Sequence, residues 1–109
     1  MTIREMSEKL SLEIACEGDD LEREVTKVYC CDLLSIVMGR APADSAWVTV
    51  MGNINAVAVA VLCDVSCIVV AEHMECDAQM LQKAETQGVT VLKSQQPIYE
   101  TAAAIGQLL

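Results

Sequence analysis

Three apolar runs follow one another in the middle of this chain: Trp47–Met51, Ile54–Cys63 and Cys67–Ala71. A segment apolar on nearly every position has no face to turn to water, so it must be covered on both sides. Short runs of this kind are what central strands of a parallel sheet look like, because helices pack on both faces of such sheets. The middle run is longer and follows Asn53, a residue that accepts backbone N–H bonds at a helix start. Its Ala/Val alternation over Ala56–Val61 also fits a strand. Its length and the Asn53 cap predict a helix. Strand, helix, strand is therefore the expected centre of the fold.

The flanks extend the pattern. Thr2 and Glu5 have capping-box spacing ahead of Ile3, Met6 and Leu10, which predicts a short N-terminal helix. Leu12-Glu13-Ile14 alternates as a strand does, and Val25–Cys30 is rich in strand formers. Asp32 stands where a helix over Leu33–Met38 wants its N-cap, and Gly39 suits its end. Ala41–Asp44 reads as a connector. Asp77 is the expected cap of a helix through Gln87, with Met80, Leu81 and Ala84 inward and Gly88 as the stop. Val89–Leu92 follows as a strand. Pro97 opens a last helix with Ile98, Ala102, Ile105 and Leu109 along one face. Strand and helix alternate from Val25 onward, so the expected fold is a small α/β single domain over residues 1–109, with a mainly parallel sheet flanked by helices. A chain of 109 residues is long enough to bury such a core without metal or disulfide staples. With one Trp, two Tyr and no Phe, that core must be aliphatic.

Charge excludes one class of partner. Seven basic residues against sixteen acidic give a net charge of −9, a surface that repels phosphate backbones, so no nucleic acid is expected. The dense acidic stretch Glu17–Glu24 reads as a solvated loop; it lacks the ligand spacing of a calcium loop. The most apolar span, Ala56–Ala71, is shorter than the ~20 residues a bilayer needs and contains Asp64, so no membrane association is expected. No basic, then apolar, then small-residue leader pattern opens the sequence, and a cytoplasmic location follows as the expectation. There, the six cysteines should be reduced thiols.

Few side chains suggest chemistry. In a parallel sheet, ligands settle beyond the carboxyl ends of the strands. Asp32, Asn53, Glu72 and His73 all fall at expected strand ends, where helix N-termini offer N–H groups to an anionic or polar ligand. Helix capping by itself accounts for the type and place of Asp32, Asn53 and Asp77 and is the stronger reading. His73 is the only histidine, and no nucleophile-elbow sequence accompanies it. No C-x-x-C spacing exists; Cys63 and Cys67 lie in apolar surroundings where a thiol acts as a small hydrophobe. A zinc or iron–sulfur site would have to draw on Cys76, His73 and Glu72 with another thiol. The expectation is no catalytic residue, no metal and no cofactor.

The segment Tyr29-Cys30-Cys31-Asp32-Leu33-Leu34-Ser35 resembles the tyrosine–x–x–Asp-Leu-Leu-Ser segment of DRTGG domains. The order of Trp47–Asn53, the apolar helix, Ile68–Ala71, the helix after Asp77, Val89–Leu92 and the closing helix is similar to that family's. The family's Asp-Arg pair aligns with Asn53-Ile54 and its Thr-Gly-Gly with Ala71-Glu72-His73, so this chain departs from both motifs. The resemblance implies a fold like the N-terminal domain of HPr kinase/phosphorylase. It also implies a regulatory role: such domains occur beside CBS modules in some inorganic pyrophosphatases and in some phosphotransacetylases. Stand-alone versions accompany iron-only hydrogenase and signalling genes in anaerobes. The leading functional expectation is a non-catalytic regulatory domain acting as a homodimer, with surplus apolar surface near Trp47, Met51 and the Ala/Val helix as its interface. Two alternatives remain: a small-molecule sensor, for a nucleotide or metabolite, at Asp32, Asn53, Glu72 and His73, or a metal or redox module using Cys63, Cys67 and Cys76. A protein partner is also compatible with a regulatory role.

Overall fold

In the computed structural model, which describes residues 1–109, the chain runs α1 (Ile3–Lys9), β1 (Glu13–Cys16), β2 (Lys27–Cys30), α2 (Leu34–Arg40), β3 (Ser45–Thr49), α3 (Ile54–Cys63), β4 (Cys67–Val70), α4 (Ala78–Gln87), β5 (Thr90–Lys93) and α5 (Ile98–Leu108). The five strands form one sheet in the order β1-β5-β4-β3-β2. β2 to β5 are mutually parallel, and only β1 runs antiparallel, along the outer edge of β5. The α/β fold with a mainly parallel sheet is thus as the sequence led us to expect.

β3 and β4 are the central strands, buried at every position. Alternation divides their side chains between two cores. On one face Trp47, Ile68, Val70 and Val91 meet α2, α3 and α4 through Val37, Val57 and Met80. On the other, Ala46, Val48, Val69 and Leu92 meet α1 and α5 through Ile3, Met6 and Ile105. Trp47 is wholly inaccessible, and its indole Nε1–H donates to the Cys31 carbonyl at 2.9 Å. It therefore belongs to the interior and offers nothing to an interface, contrary to the sequence expectation.

Most helix ends follow their local signals. Thr2 and Glu5 form the reciprocal capping box. Asn53 caps α3 through the Asn55 N–H, and Asp77 caps α4 through the Met80 N–H. Gly88 ends α4 in the left-handed region, at φ 73°. The Ala/Val segment is helical, as its length and cap implied. α2 departs from expectation at both ends. Its N-cap is Leu33 without a side-chain bond, and it runs past Gly39 to Arg40 before turning at Ala41 in extended conformation. Strand limits also shift by a few residues: Val25 is buried ahead of β2, and β3 starts two residues before Trp47.

The acidic stretch is anchored as well as solvated. Leu21 is buried among the α1/α5 core, and the backbone of Ile3 and Arg4 donates to the Arg23 and Leu21 carbonyls. Gly18 N–H donates to Thr90 Oγ1 and Asp19 N–H to the Gly88 carbonyl, so the loop is laced to the start of β5.

Close backbone approach marks the loops after β3 and β4. A Cβ on Gly52 would collide with the Glu75 carbonyl oxygen, while the Gly52 carbonyl accepts from Asp77 N–H at 3.0 Å. Gly52→Ala is expected to force these loops apart and destabilise the fold by about 1–3 kcal/mol. At this size that lowers Tm by at least ~4 °C, readable by circular dichroism; an unchanged Tm would show that the loops part freely.

Candidate functional site

Consecutive crossovers decide what the strand ends can form. The chain steps from β2 to β3, β4 and β5 always to the next neighbour in one direction. The ligand crevice of open α/β sheets arises where that direction reverses. Here α2, α3 and α4 all pack on one face, and no reversal occurs among the parallel strands. The carboxyl ends of the strands are instead closed by loops bonded to one another.

Asp32 illustrates this. It does not cap α2. Its Oδ1 accepts from Thr49 Oγ1 at 2.7 Å and from the Val50 N–H at 2.9 Å, tying the loop after β2 to the end of β3. The Asn53 amide oxygen is engaged by its own helix. Glu72 reaches across to α5, where its Oε2 accepts from the Ile98 N–H at 2.8 Å. α5 begins at Pro97, which supplies no capping side chain, so Glu72 caps that helix from 26 residues away. Thus Asp32, Asn53 and Glu72 each bond to a separate backbone group, and of the four expected site residues only His73 lines the cleft beside the α1–β1 turn.

His73 has a different setting. It lines a cleft of about 310 Å³ between the α1–β1 turn and the start of the β5–α5 loop. Ser11, Glu13, Lys93, Ser94, Gln95 and Gln96 are its polar neighbours there. Lys93 is mostly covered, and its Nζ stands 3.8 Å from Glu75 and 4.0 Å from Glu13, loose ion pairs with little geometric commitment. Three non-glycine residues at this cleft have left-handed backbones: Ser11 and His73 on its wall and Glu72 beside it, with φ of 53°, 55° and 61°. Such conformations cost L-residues on the order of 1 kcal/mol each. Glu72 and His73 are held there by their N–H groups, which donate to the Gln96 and Ser94 carbonyls. Sequence reasoning did not single out Ser11, Lys93, Gln95 or Gln96. They are polar residues without motif spacing, and only the antiparallel docking of β1 on β5 brings Ser11 and Glu13 beside the others.

The cysteines form no ligand set: no three His, Cys, Asp or Glu side chains are grouped to hold a metal ion. All six are free. Burial pushes the thiols of Cys16, Cys30, Cys63 and Cys76 up, and that of Cys67, fully enclosed, up to about 12. A raised thiol is the opposite of a reactive one, since the thiolate is the nucleophile. The Cys63 thiol approaches the Val37 carbonyl at 3.4 Å, joining the end of α3 to α2.

The family model of the DRTGG domain matches residues 5–108. The chain belongs to the DRTGG domain family. Glu72 and His73 are successive residues in the left-handed region, a conformation that only glycine adopts without strain. This DRTGG domain carries that strain at both positions. A solved structure of the CBS and DRTGG domains of the regulatory region of Clostridium perfringens pyrophosphatase, complexed with the activator diadenosine tetraphosphate, is similar over 99% of this chain, with a TM-score of 0.79 and 14% identity. The likeness shows the shared fold. The chain covers 47% of that solved chain, so it spans less than half of it. No curated protein matches.

Two sets of measurements probe this region. His73→Gly removes an exposed side chain and its left-handed strain, so it is expected to stabilise the domain by about 0.5–1 kcal/mol in urea unfolding. Glu72→Gly relieves similar strain but loses the α5 cap, worth ~1 kcal/mol, and should come out near neutral. Destabilisation by both would contradict the backbone argument. For Cys67, the thiol titrates at 9.0 in its ordinary state and at about 12 here. Below pH 9 both states hold the proton and the shift has no pH effect. Above it the unfolded chain releases the proton first, so stability falls as pH rises toward 12. The decline in urea-derived stability between pH 8 and 10 should be shallower in Cys67→Ala than in the wild type.

Proposed function

We propose that this DRTGG domain is a non-catalytic regulatory module of the cytoplasm that works as a homodimer, in signalling or metabolic control. One observation carries the reading. α2 and α3 lie side by side and leave Leu33, Ile36, Met38, Ile54, Val61 and Leu62 exposed. From Leu33 to Cys63 the only charged residues are Arg40 and Asp44, in a chain of net charge −9. A large apolar, nearly uncharged area on a strongly acidic surface is what an interface needs. Raised thiols, and a Ser94 hydroxyl engaged by Thr101 and Gln96, support the absence of a nucleophile. No helix is long and apolar enough to cross a membrane.

A second reading, a small-molecule sensor, is favoured by the cleft at His73. Strained backbone concentrates where structure is shaped for binding, and three such residues meet there. The solved relative is a regulatory region in complex with a nucleotide activator, which makes nucleotides the first ligands to try.

Light scattering on the wild-type chain at micromolar concentration should return twice the 11.8 kDa monomer mass; a strict monomer would overturn the homodimer. Thermal scans with diadenosine tetraphosphate, mononucleotides and small organic acids test the second reading. A ligand at ~100 times its Kd adds about 2.7 kcal/mol to folding stability, and His73→Ala should abolish the Tm rise it produces. A flat response to every compound sinks the sensor.

A further inference from the structure

Lys93 is the one ammonium that lines the cleft at His73, and no protein group satisfies it fully. Its side chain is only 20% exposed, yet Glu13 and Glu75 stand 4.0 and 3.8 Å from Nζ, beyond hydrogen-bond reach. Its N–H donors therefore find no protein acceptor. A mostly covered charge is costly in that condition, and a ligand that accepts from it lowers the cost. Register explains the placement. Glu13 and Lys93 are paired across β1 and β5, so a carboxylate and an ammonium stand side by side where the α1–β1 turn meets the β5–α5 loop.

The charges around this pair select what can join it. Glu13 lines the cleft and Glu72 and Glu75 stand beside it, against a single lysine. A polyphosphate or a dicarboxylate brings two or more negative charges into a region that is already acidic, on a chain of net charge −9. A lone carboxylate satisfies Lys93 but sets its own charge beside Glu13. A simple amine satisfies Glu13 and does nothing for Lys93. A molecule with carboxylate and ammonium on one carbon serves both. Its carboxylate accepts from Lys93 Nζ and its ammonium donates to Glu13, which closes a ring of four alternating charges with no change in net charge. Charge-assisted bonds of ~2.7–2.9 Å fit at either side of the 4.0 Å gap. Volume agrees: at about 310 Å³ the cleft is at the small end of ligand sites, which run from roughly 300 to 1,000 Å³. Half-buried Leu10 and Leu12 give a side chain an apolar wall, and exposed Gln95 and Gln96 give it uncharged hydrogen-bonding groups.

We infer that the cleft binds a free α-amino acid with an uncharged side chain, its carboxylate on Lys93 and its ammonium on Glu13. The inference rests on the sensor reading above and narrows its ligand to one chemical class. The left-handed backbones of Ser11 and His73 fix the two walls, so the site is shaped before the ligand arrives.

Thermal scans and calorimetry of the full chain with uncharged L-amino acids, from alanine to leucine and glutamine, test it. At least one should raise Tm and give a saturable heat. The N-acetyl derivative and the methyl ester of that amino acid each lack one of the two charges, and both should bind roughly 10–100-fold more weakly. The amino acid itself should lose a similar factor on Lys93→Gln and on Glu13→Gln. Glu13 is exposed, so Glu13→Gln keeps the fold whatever Lys93→Gln does, as circular dichroism will show. If either blocked derivative binds as tightly as its parent, or Glu13→Gln binds as the wild type does, the assignment is overturned. If nucleotides or organic acids raise Tm in a way that needs His73 while no amino acid does, the sensor stands and this ligand class falls. If nothing binds, both fall together.

Discussion

Covering both faces of a parallel sheet is the requirement from which the rest of this domain follows. β3 and β4 are buried at every position, so helices must lie above and below them. With ten elements in 109 residues, connections are short, and each helix must bury its share of sheet immediately. Right-handed crossovers that always step to the adjacent strand place α2, α3 and α4 on one face. α5 must then return across the opposite face, joined there by α1. A consequence is that α3, in the middle of its layer, has flanks and underside occupied and only its outer stripe exposed to water. The apolar character of that stripe is therefore not needed by the monomer's own core.

The same compression explains the strand ends. Loops between adjacent parallel elements leave backbone groups that need partners. Asp32 serves the end of β3, and Glu72 serves the start of α5, where Pro97 has no capping side chain to offer. Carboxylates engaged in this way hold the fold together and have less to offer a ligand. What remains accessible lies to one side, in the cleft where β1 joins the sheet antiparallel and carries the α1–β1 turn up to His73 and Lys93. The backbone there is strained at Ser11, Glu72 and His73. Neighbouring hydrogen bonds hold Glu72 and His73 in place despite the cost, as the N–H bonds of both residues to the β5–α5 loop illustrate.

Much of this architecture was legible in the residues. The apolar runs located the central strands. Thr2, Asn53 and Asp77 marked helix starts, because a side-chain acceptor at an N-cap bonds within its own first turn and needs no tertiary context. Gly88 marked a helix end for an equally local reason, its left-handed φ. Asp32 looked identical to these caps and was not one. Its carboxylate found Thr49 and Val50, residues 17 and 18 further along the chain, and no local pattern encodes that choice. Trp47 was counted among apolar residues surplus to a small core and so available for an interface, but its strand lies at the centre of the sheet.

What the sequence alone determined, then, is everything governed by short-range geometry: the alternation of strand and helix, the caps, the aliphatic core and the absence of an obvious reactive motif. Tertiary structure decided which of several similar polar residues meet. Glu72 reaches Ile98, and His73 reaches the cleft of Lys93, only because β4 lies beside β5 and β1 closes the outer edge. It also decided that α3's apolar residues divide into a buried half and an exposed half. A helix apolar all round carries no periodic signal to say which side faces the sheet, so the division emerges only once that helix is packed between its neighbours.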